Sequence, residues 1–367
     1  MLKKILSLPL EQKIGQLFFI GLSGAEVDDP ARGLLKEISP AGVCLFARNI
    51  REAAQTRKLL DDIREVSPIE PFLSLDQEGG LVDRLRRIVE PMPAANLLKT
   101  PEQAAKLAKV TAEILRILGF NMDFAPVVDV ITEERSNFVN GLFSRTFGKS
   151  NEEVFEFSQK YLDTLQKNGV LGSIKHFPGL GASEIDSHEE LPHVKLKDEE
   201  FNSLDLYPYR EFFKLSEVNA VMVAHAAFPN LNLQETDQHG KLLPSSLSFN
   251  FTTKLLREHL GFDGLALTDD LEMGAILKNY GIGEACKMAI KAGHDLLLIC
   301  NDPGSVREGY SAVLNSVKSG EIEENRVNNS LQRIAIVKNL INPPLDFDKN
   351  RLSELSNEIS DLKAQLK

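Results

Sequence analysis

Histidine and carboxylate side chains are concentrated in the segment from Lys175 to His193, KHFPGLGASEIDSHEELPH, which contains three of the seven histidines of the chain. The apolar run at 170–174 precedes this segment and predicts a strand, whereas Pro178, Gly179 and Gly181 prevent a helix. The polar side chains are therefore expected on a loop at the C-terminal end of a strand, where α/β enzymes carry their catalytic residues.

Asp186 and His188 lie two positions apart within this segment. Side chains at this spacing in an extended segment point the same way, so the carboxylate of Asp186 can bind one imidazole nitrogen and raise the basicity of the other. This arrangement would make His188 a positioned proton donor. The alternative is a turn in which Asp186 only caps the backbone that follows it.

The same segment contains residue types that bind zinc. The familiar helical motif needs two histidines four positions apart, but position 192 is Pro192, and the histidine that follows His188 comes one residue later. Proline also prevents the helix that would align the ligands. The sequence therefore predicts no metal site, and no organic cofactor is expected.

Polar residues also follow other apolar runs, at points where a buried strand should end: Asp76-Gln77-Glu78 after FLSL, His225 after VMVA, and Asp269-Asp270 after LALT. Taken singly, each could be a solvated loop side chain or a helix N-cap. On a barrel of parallel strands, however, these ends meet at one mouth together with Lys175 and His176. Their shared position predicts a single polar site.

Eight short apolar runs alternate with amphipathic helical segments and have the composition of strands buried on both faces. They lie at 15–22, 41–47, 71–79, 121–130, 170–177, 220–228, 264–271 and 295–300. This pattern predicts an α/β fold, a closed (β/α)₈ TIM-type barrel. The competing architecture, a doubly wound open sheet, usually has a glycine-rich phosphate loop after its first strand, and Gly21 and Gly24 are not spaced in that way.

The composition and ends of the chain limit its class and organisation. A chain of 367 residues with 43% apolar content is globular, and a net charge of −11 argues against nucleic-acid or membrane partners. Three widely spaced cysteines in apolar contexts and the absence of a signal-like or membrane-length apolar run lead us to expect a cytoplasmic protein. We expect a barrel domain at 1–342 and a helical tail at 343–367. The tail either packs on the barrel or mediates association, so the protein is expected to be a monomer or a weak homodimer.

Five segments in order resemble the signature segments of glycoside hydrolase family three, in its single-domain bacterial β-N-acetylhexosaminidase branch. They are LDQEGG at 75–80, SRTFG at 144–148, KHFPGLG at 175–181, DSH at 186–188 and TDDLEM at 268–273. The resemblance runs from about Glu11 to Asn342. One departure is Leu180, where the family commonly has a second histidine.

The resemblance implies a retaining mechanism with specific roles for these residues. Asp269 would be the nucleophile, and His188, oriented by Asp186, would be the acid/base. The remaining residues that match the family would bind the terminal sugar: Asp76, Arg145, Lys175 and His176 at its hydroxyls, and Met273 near its ring. An imidazole titrates near pH 6.5, so a histidine can donate and accept protons near neutrality without strong burial.

The activity expected from the resemblance is removal of a terminal non-reducing β-linked N-acetylglucosamine, with muropeptide fragments of cell-wall recycling as the substrate. Substrate-assisted hydrolysis, phosphorolysis and another family-three β-glycosidase activity are alternatives within the same chemistry. Alternating side-chain directions along a strand argue against both Asp269 and Asp270 entering the mouth, although the alternation can fail at a strand end. The alternative from another class is a catalytically silent sugar-binding protein. Such a protein could lose Asp269 or the pair Asp186 and His188, and the presence of all three residues argues against it.

Overall fold

The protein is described by a computed structural model that covers residues 1–138, 141–187 and 189–366. Ten strands occur in these residues, numbered in chain order: β1 Phe18–Gly21, β2 Gly42–Cys44, β3 Phe72–Leu75, β4 Gln77–Gly79, β5 Val82–Asp83, β6 Met122–Asp123, β7 Leu171–Phe177, β8 Ala220–Val223, β9 Leu265–Asp270 and β10 Leu296–Ile299. Eight of them form a closed barrel in the order β1-β2-β3-β6-β7-β8-β9-β10, and β10 pairs with β1. All pairings in the barrel are parallel.

Helices connect the barrel strands and cover them from outside. In chain order they are α1 Leu2–Leu6, α2 Leu10–Gly15, α3 Asp29–Ile38, α4 Ala53–Val66, α5 Pro101–Leu118, α6 Asn151–Lys167, α7 Asp198–Glu200, α8 Tyr207–Leu215, α9 Gly274–Leu277, α10 Ile282–Ala292, α11 Pro303–Lys318, α12 Glu324–Lys338 and α13 Lys349–Leu366. Two π-helical segments, Phe201–Asp205 and Asn250–His259, complete the helical layer. The predicted (β/α)₈ barrel is confirmed.

The strands form where the sequence has its apolar runs, because both of their faces are buried. Every residue of β7 is buried, including the polar ones. Aromatic rings from strands that are not neighbours also pack together, with the ring centroids of Phe19 in β1 and Phe124, which follows β6, 5.2 Å apart. Gly42, which pairs with Phe19, provides room for this packing, since a Cβ at Gly42 would lie 2.7 Å from the Phe19 ring.

A small antiparallel hairpin of β4 and β5 interrupts the predicted strand at 71–79. The barrel strand ends at Leu75, and the chain turns at Gly79 and Gly80, which both have positive φ angles that glycine adopts without steric cost. Asp83 closes the hairpin by accepting a hydrogen bond from the side chain of Gln77 at 2.8 Å. This turn holds Glu78 at the mouth of the barrel.

The C-terminal helix α13 packs on the barrel. An apolar stripe along this helix is buried in the main core, formed by Leu352, Leu355, Ile359 and Leu362. Arg351 forms a bidentate ion pair with Glu113 of α5, with N–O distances of 2.6 and 2.9 Å. Across the described parts of the chain, no helix combines the length and apolar character that a membrane span requires.

Candidate active site

The C-terminal ends of the barrel strands surround a cavity of about 330 Å³, within the size range of small-molecule sites. Six residues that the sequence analysis selected line this cavity: Asp76, Arg145, Lys175, His176, Asp269 and Met273. They come from different strand ends and loops, as expected for a site at the mouth of a barrel.

A network of buried charges forms one wall of the cavity. The ammonium of Lys175 lies 2.6 Å from Asp76 Oδ1 and 2.7 Å from Glu78 Oε1. Glu78 also accepts two hydrogen bonds from Arg145, from Nε at 2.7 Å and from Nη2 at 2.9 Å. These two contacts with described residues use two of the three N–H groups of the Lys175 ammonium, and the third can serve a ligand in the cavity.

The network keeps Glu78 and Lys175 charged. Burial alone would raise the pKa of Glu78, but Arg145 and Lys175 outweigh burial and hold this pKa far below its ordinary value. Burial would lower the pKa of Lys175, yet Asp76 and Glu78 raise it. The wall therefore presents fixed charges and oriented N–H groups, which suit the hydroxyls of a sugar.

Asp269 and Asp270 at the end of β9 both line the cavity. The pairing of β9 with β10 shifts register at this point, because Leu296 lies opposite Leu267 and Leu298 opposite Asp270. Such an irregularity breaks the usual alternation of side chains. Both residues therefore line one cavity at this strand end, where the regular alternation does not hold.

The two carboxyls differ in their ionisation. Burial would raise the pKa of Asp269, but His176, His225, the amide of Asp270 and Lys175 together lower it below its ordinary value. The Asp270 amide donates to Asp269 Oδ1 at 2.8 Å. In contrast, burial, assisted by nearby Glu272 and Asp269, raises the pKa of Asp270 to about 7. Asp269 is thus the carboxylate that stays ionised at neutral pH, as a nucleophile requires.

His225 follows β8, as the sequence analysis noted, but its side chain supports the site from behind. Its Nε2 lies 3.0 Å from the carbonyl oxygen of Asp270, and its Nδ1 lies 2.7 Å from the hydroxyl of Ser246. Because a carbonyl can only accept, Nε2 carries a hydrogen, and in the neutral imidazole Nδ1 then accepts from Ser246. His225 thereby helps to fix the backbone next to Asp269.

His176 is held by a residue that the sequence analysis missed. Asp129 is fully buried, and its Oδ2 lies 2.7 Å from Nδ1 of His176. Asp129 lies at the end of the run NMDFAPVVDV, and a carboxylate within such an apolar run was a signal for an internal partner. Glu78 was noted among the acids that follow FLSL but was not assigned to the site.

The loop between β7 and α7, residues 178–197, comes close to Asp269. Asp186 lines a second, small cavity of about 20 Å³ together with Asp269, Arg145 and His176. The carbonyl of Ser187 accepts a hydrogen bond from the amide of Ala275 at 3.3 Å, which joins this loop to helix α9. His188 lies outside the described residues, so its role as acid/base stays a prediction.

Leu180 contributes its backbone and an apolar side chain to the site. Its amide donates to Asp129 Oδ1 at 2.7 Å. Its side chain is buried in a hydrophobic cluster that includes Val130 and Phe177. The contact with Asp129 is made by the backbone and does not depend on the side chain at position 180. Within residues 1–138, 141–187 and 189–366, no group of three or more histidine, cysteine or acidic side chains is arranged so that it could hold a metal ion.

Comparisons with known proteins identify the family of this chain. The sequence model of the glycosyl hydrolase family 3 N terminal domain matches residues 9–337. A β-hexosaminidase of Tolumonas auensis is 31% identical over 306 residues, covering 82% of this chain and 86% of that protein. A β-hexosaminidase of Psychromonas ingrahamii is 32% identical over 307 residues, with the same two coverages of 82% and 86%.

Solved structures show the same relationship. A glycoside hydrolase family 3 β-N-acetylglucosaminidase from Paenibacillus sp. superposes with a TM-score of 0.87 at 34% identity, over 97% of this chain and 69% of that chain. A glycosyl hydrolase of the same family from Mycobacterium smegmatis has a TM-score of 0.80 at 32% identity, over 93% of this chain and 99% of that chain. The chain belongs to glycosyl hydrolase family 3. The predicted family, its β-hexosaminidase branch and the enzyme class of glycoside hydrolase are confirmed.

Proposed function

We propose that this enzyme is a retaining exo-β-N-acetylglucosaminidase, with Asp269 as the nucleophile. The observation that carries the proposal is the contrast between the two carboxyls at the end of β9. The surroundings of Asp269 lower its pKa, whereas Asp270 has a pKa of about 7. Asp269 attacks the anomeric carbon of the sugar to form a covalent glycosyl-enzyme intermediate, which water then hydrolyses with retention of configuration.

His188, oriented by Asp186, is the proposed acid/base. It donates a proton to the leaving oxygen in the first step and takes a proton from water in the second. The support for this pair is the place of Asp186, which shares the 20 Å³ cavity with Asp269. The histidine itself is assigned from the DSH segment alone.

The terminal sugar is proposed to bind in the 330 Å³ cavity, with its hydroxyls at Asp76, Arg145, Lys175 and His176 and its ring near Met273. Carboxylates accept hydrogen bonds from hydroxyls, while the ammonium and guanidinium groups donate them. A cavity of about 330 Å³ is of a size that suits the terminal residue of a chain. Similarity to β-hexosaminidases supports an N-acetylated sugar.

The proposed natural substrates are muropeptide fragments, which would place the enzyme in peptidoglycan recycling in the cytoplasm. A small carbohydrate is the only partner proposed, without metal or organic cofactor, and the chain is expected to act as a monomer or weak homodimer. We retain the division into a catalytic barrel at 1–342 and a C-terminal helical tail at 343–367. The buried stripe of α13 supports a tail that stays on its own barrel.

The test is product analysis on N-acetylglucosaminyl-anhydromuramyl substrate, with and without inorganic phosphate. We expect free N-acetylglucosamine under both conditions, released as the β-anomer when proton NMR follows the first turnovers. A sugar phosphate would identify a phosphorylase, and an α-anomer would refute retention. A mechanism-based fluorosugar should label Asp269, as mass spectrometry of the peptides would show.

A further inference from the structure

Asp129 is a buried carboxylate at the point where three parts of the mouth meet. The segment after β6 continues beside β7, where the amide of Val128 donates to the carbonyl of Lys175 at 2.7 Å. This places Asp129 next to His176. Asp129 Oδ2 contacts His176 Nδ1 at 2.7 Å, and its Oδ1 accepts from the amides of His176 at 3.3 Å and Leu180 at 2.7 Å.

These contacts determine which nitrogen of His176 carries the hydrogen. An ionised carboxylate only accepts hydrogen bonds, so Nδ1 of His176 must be the N–H donor to Asp129. In the neutral imidazole, Nε2 then has a free lone pair. This nitrogen lies 3.4 Å from Nη2 of Arg145, which has hydrogens to donate, and His176 lines the cavity. Both neighbours of the ring therefore agree with one tautomer.

The second oxygen of Asp129 ties down the start of the β7–α7 loop. After Leu180, the chain passes so close to the segment of Asp129 that a Cβ at Gly181 would lie 2.0 Å from the carbonyl oxygen of Val130. Only glycine fits at this approach. Six residues beyond Leu180 the same loop reaches Asp186, which lines the small cavity beside Asp269.

We propose that Asp129 is a positioning residue with two effects on the reaction. It fixes His176 as the Nδ1–H tautomer, so that Nε2 is the hydrogen-bond acceptor next to Arg145 at the cavity, and it anchors the loop that carries Asp186. The kinetic consequences rest on the proposed function, whereas the tautomer and the anchor are properties of the protein alone.

Two variants separate these effects. Asp129→Asn keeps an oxygen for the two amides but presents an NH₂ group to Nδ1 of His176. The histidine hydrogen then moves to Nε2, where it faces the N–H groups of Arg145. Asp129→Ala removes the anchor as well. Asp295→Asn is the matched control, because Asp295 is equally buried but lies before β10 at the opposite end of the barrel, bonded to Arg257 at 2.6 Å.

The tautomer is read from long-range ¹H–¹⁵N NMR spectra of histidine-labelled protein. We expect hydrogen on Nδ1 of His176 in the wild type and in Asp295→Asn, and on Nε2 in Asp129→Asn. Hydrogen exchange of the Leu180 amide should be slow in the wild type and in Asp129→Asn but faster in Asp129→Ala. A wild-type His176 with its hydrogen on Nε2 would overturn the proposal, even if no variant folded.

Kinetics supply the second readout. Asp129→Asn should lower kcat/KM for a chromogenic N-acetylglucosaminide about 10- to 100-fold, the loss expected for one charge-assisted hydrogen bond, and Asp295→Asn should not. If Asp129→Asn and Asp295→Asn lowered kcat/KM equally, the role of Asp129 would be structural only, and the positioning role would be refuted. If the wild type hydrolysed no such substrate, the proposed function would fail, while the NMR and exchange results would still decide the place of Asp129.

Discussion

Replacing Asp270 by asparagine should stabilise the folded enzyme at pH 8 and leave its stability unchanged near pH 4. Burial, with Glu272 and Asp269 nearby, raises the pKa of Asp270 to about 7 in the folded state. In the unfolded chain an aspartate titrates near 3.9. Between these values the folded state holds a proton that the unfolded chain has released, so stability falls as the pH rises from about 4 to 7. Asparagine resembles the protonated acid and avoids this loss.

The size of the effect follows from the two pKa values. Each tenfold change in proton affinity is worth about 1.36 kcal/mol, so the difference between about 7 and about 3.9 corresponds to about 4 kcal/mol once the group is fully ionised. Asp270 keeps some contact with solvent, which screens the charge and reduces the expected gain to about 2–4 kcal/mol. Its hydrogen bond from the Glu272 amide, 3.0 Å long, can pass to the asparagine oxygen.

Urea unfolding at pH 4 and pH 8 measures the gain, and Asp269→Asn is the matched control with the opposite sign. Because the folded pKa of Asp269 is lowered, its charge stabilises the fold above the unfolded pKa, and this stabilisation is lost as the pH falls through the folded pKa. Asp269→Asn should therefore be less stable than the wild type at pH 8. An Asp270→Asn variant that is no more stable than the wild type at pH 8 would refute the assignment of charges.

Activity assays test the nucleophile separately. Asp269→Ala should lower the turnover rate by several powers of ten, and Asp270→Ala should lower it much less. A larger loss of activity in Asp270→Ala than in Asp269→Ala would refute the assignment of the nucleophile.

Three further predictions concern other parts of the site and the tail. His188→Ala should slow cleavage of natural substrates by about 10²- to 10⁴-fold but affect dinitrophenyl glycosides far less, since their leaving groups need no proton; equal losses in single-turnover rates would contradict a proton donor. Arg145→Ala and Lys175→Ala should each weaken binding of N-acetylglucosamine by about 1.5–3 kcal/mol in calorimetry, and unchanged affinity would return both to structural ion pairs. Deletion of residues 347–367 should lower the unfolding temperature but preserve kcat/KM, and a folded, inactive truncation would show that the tail shapes the mouth.

The barrel could be predicted because burial on both faces leaves a direct record in sequence. Runs such as DLLLIC at 295–300 have no polar alternation, and only a parallel sheet covered on both sides accommodates several of them. The β4–β5 hairpin was not predicted, because the run at 71–79 continues past the strand end. Its turn depends on Gly79 and Gly80, and two adjacent glycines after an acidic segment do not by themselves distinguish a hairpin from a loop.

The site was predicted where a residue type identified the chemistry and missed where three-dimensional contacts did. Strand ends at Lys175 and Asp269 were visible in the pattern, and the structure brings both to one cavity. Glu78 becomes part of the site only because the hairpin turns it toward Lys175, at 2.7 Å. Asp129 becomes a partner of His176 only because the segment after β6 runs beside β7. Neither contact is encoded by spacing along the chain.

The electrostatics around Asp269 explain why a histidine suits this mouth as the proposed proton donor. Asp270 shows what happens to a second carboxyl beside Asp269, because burial and the neighbouring carboxylates hold a proton on it up to a pH of about 7. A carboxylic acid donor would meet the same repulsion after giving up its proton, which makes the proton harder to release. A histidine donor becomes neutral when it releases its proton, so it leaves no anion beside Asp269. Asp186 lines the same small cavity as Asp269, and its carboxylate can orient such an imidazole while Asp269 remains free to attack the sugar.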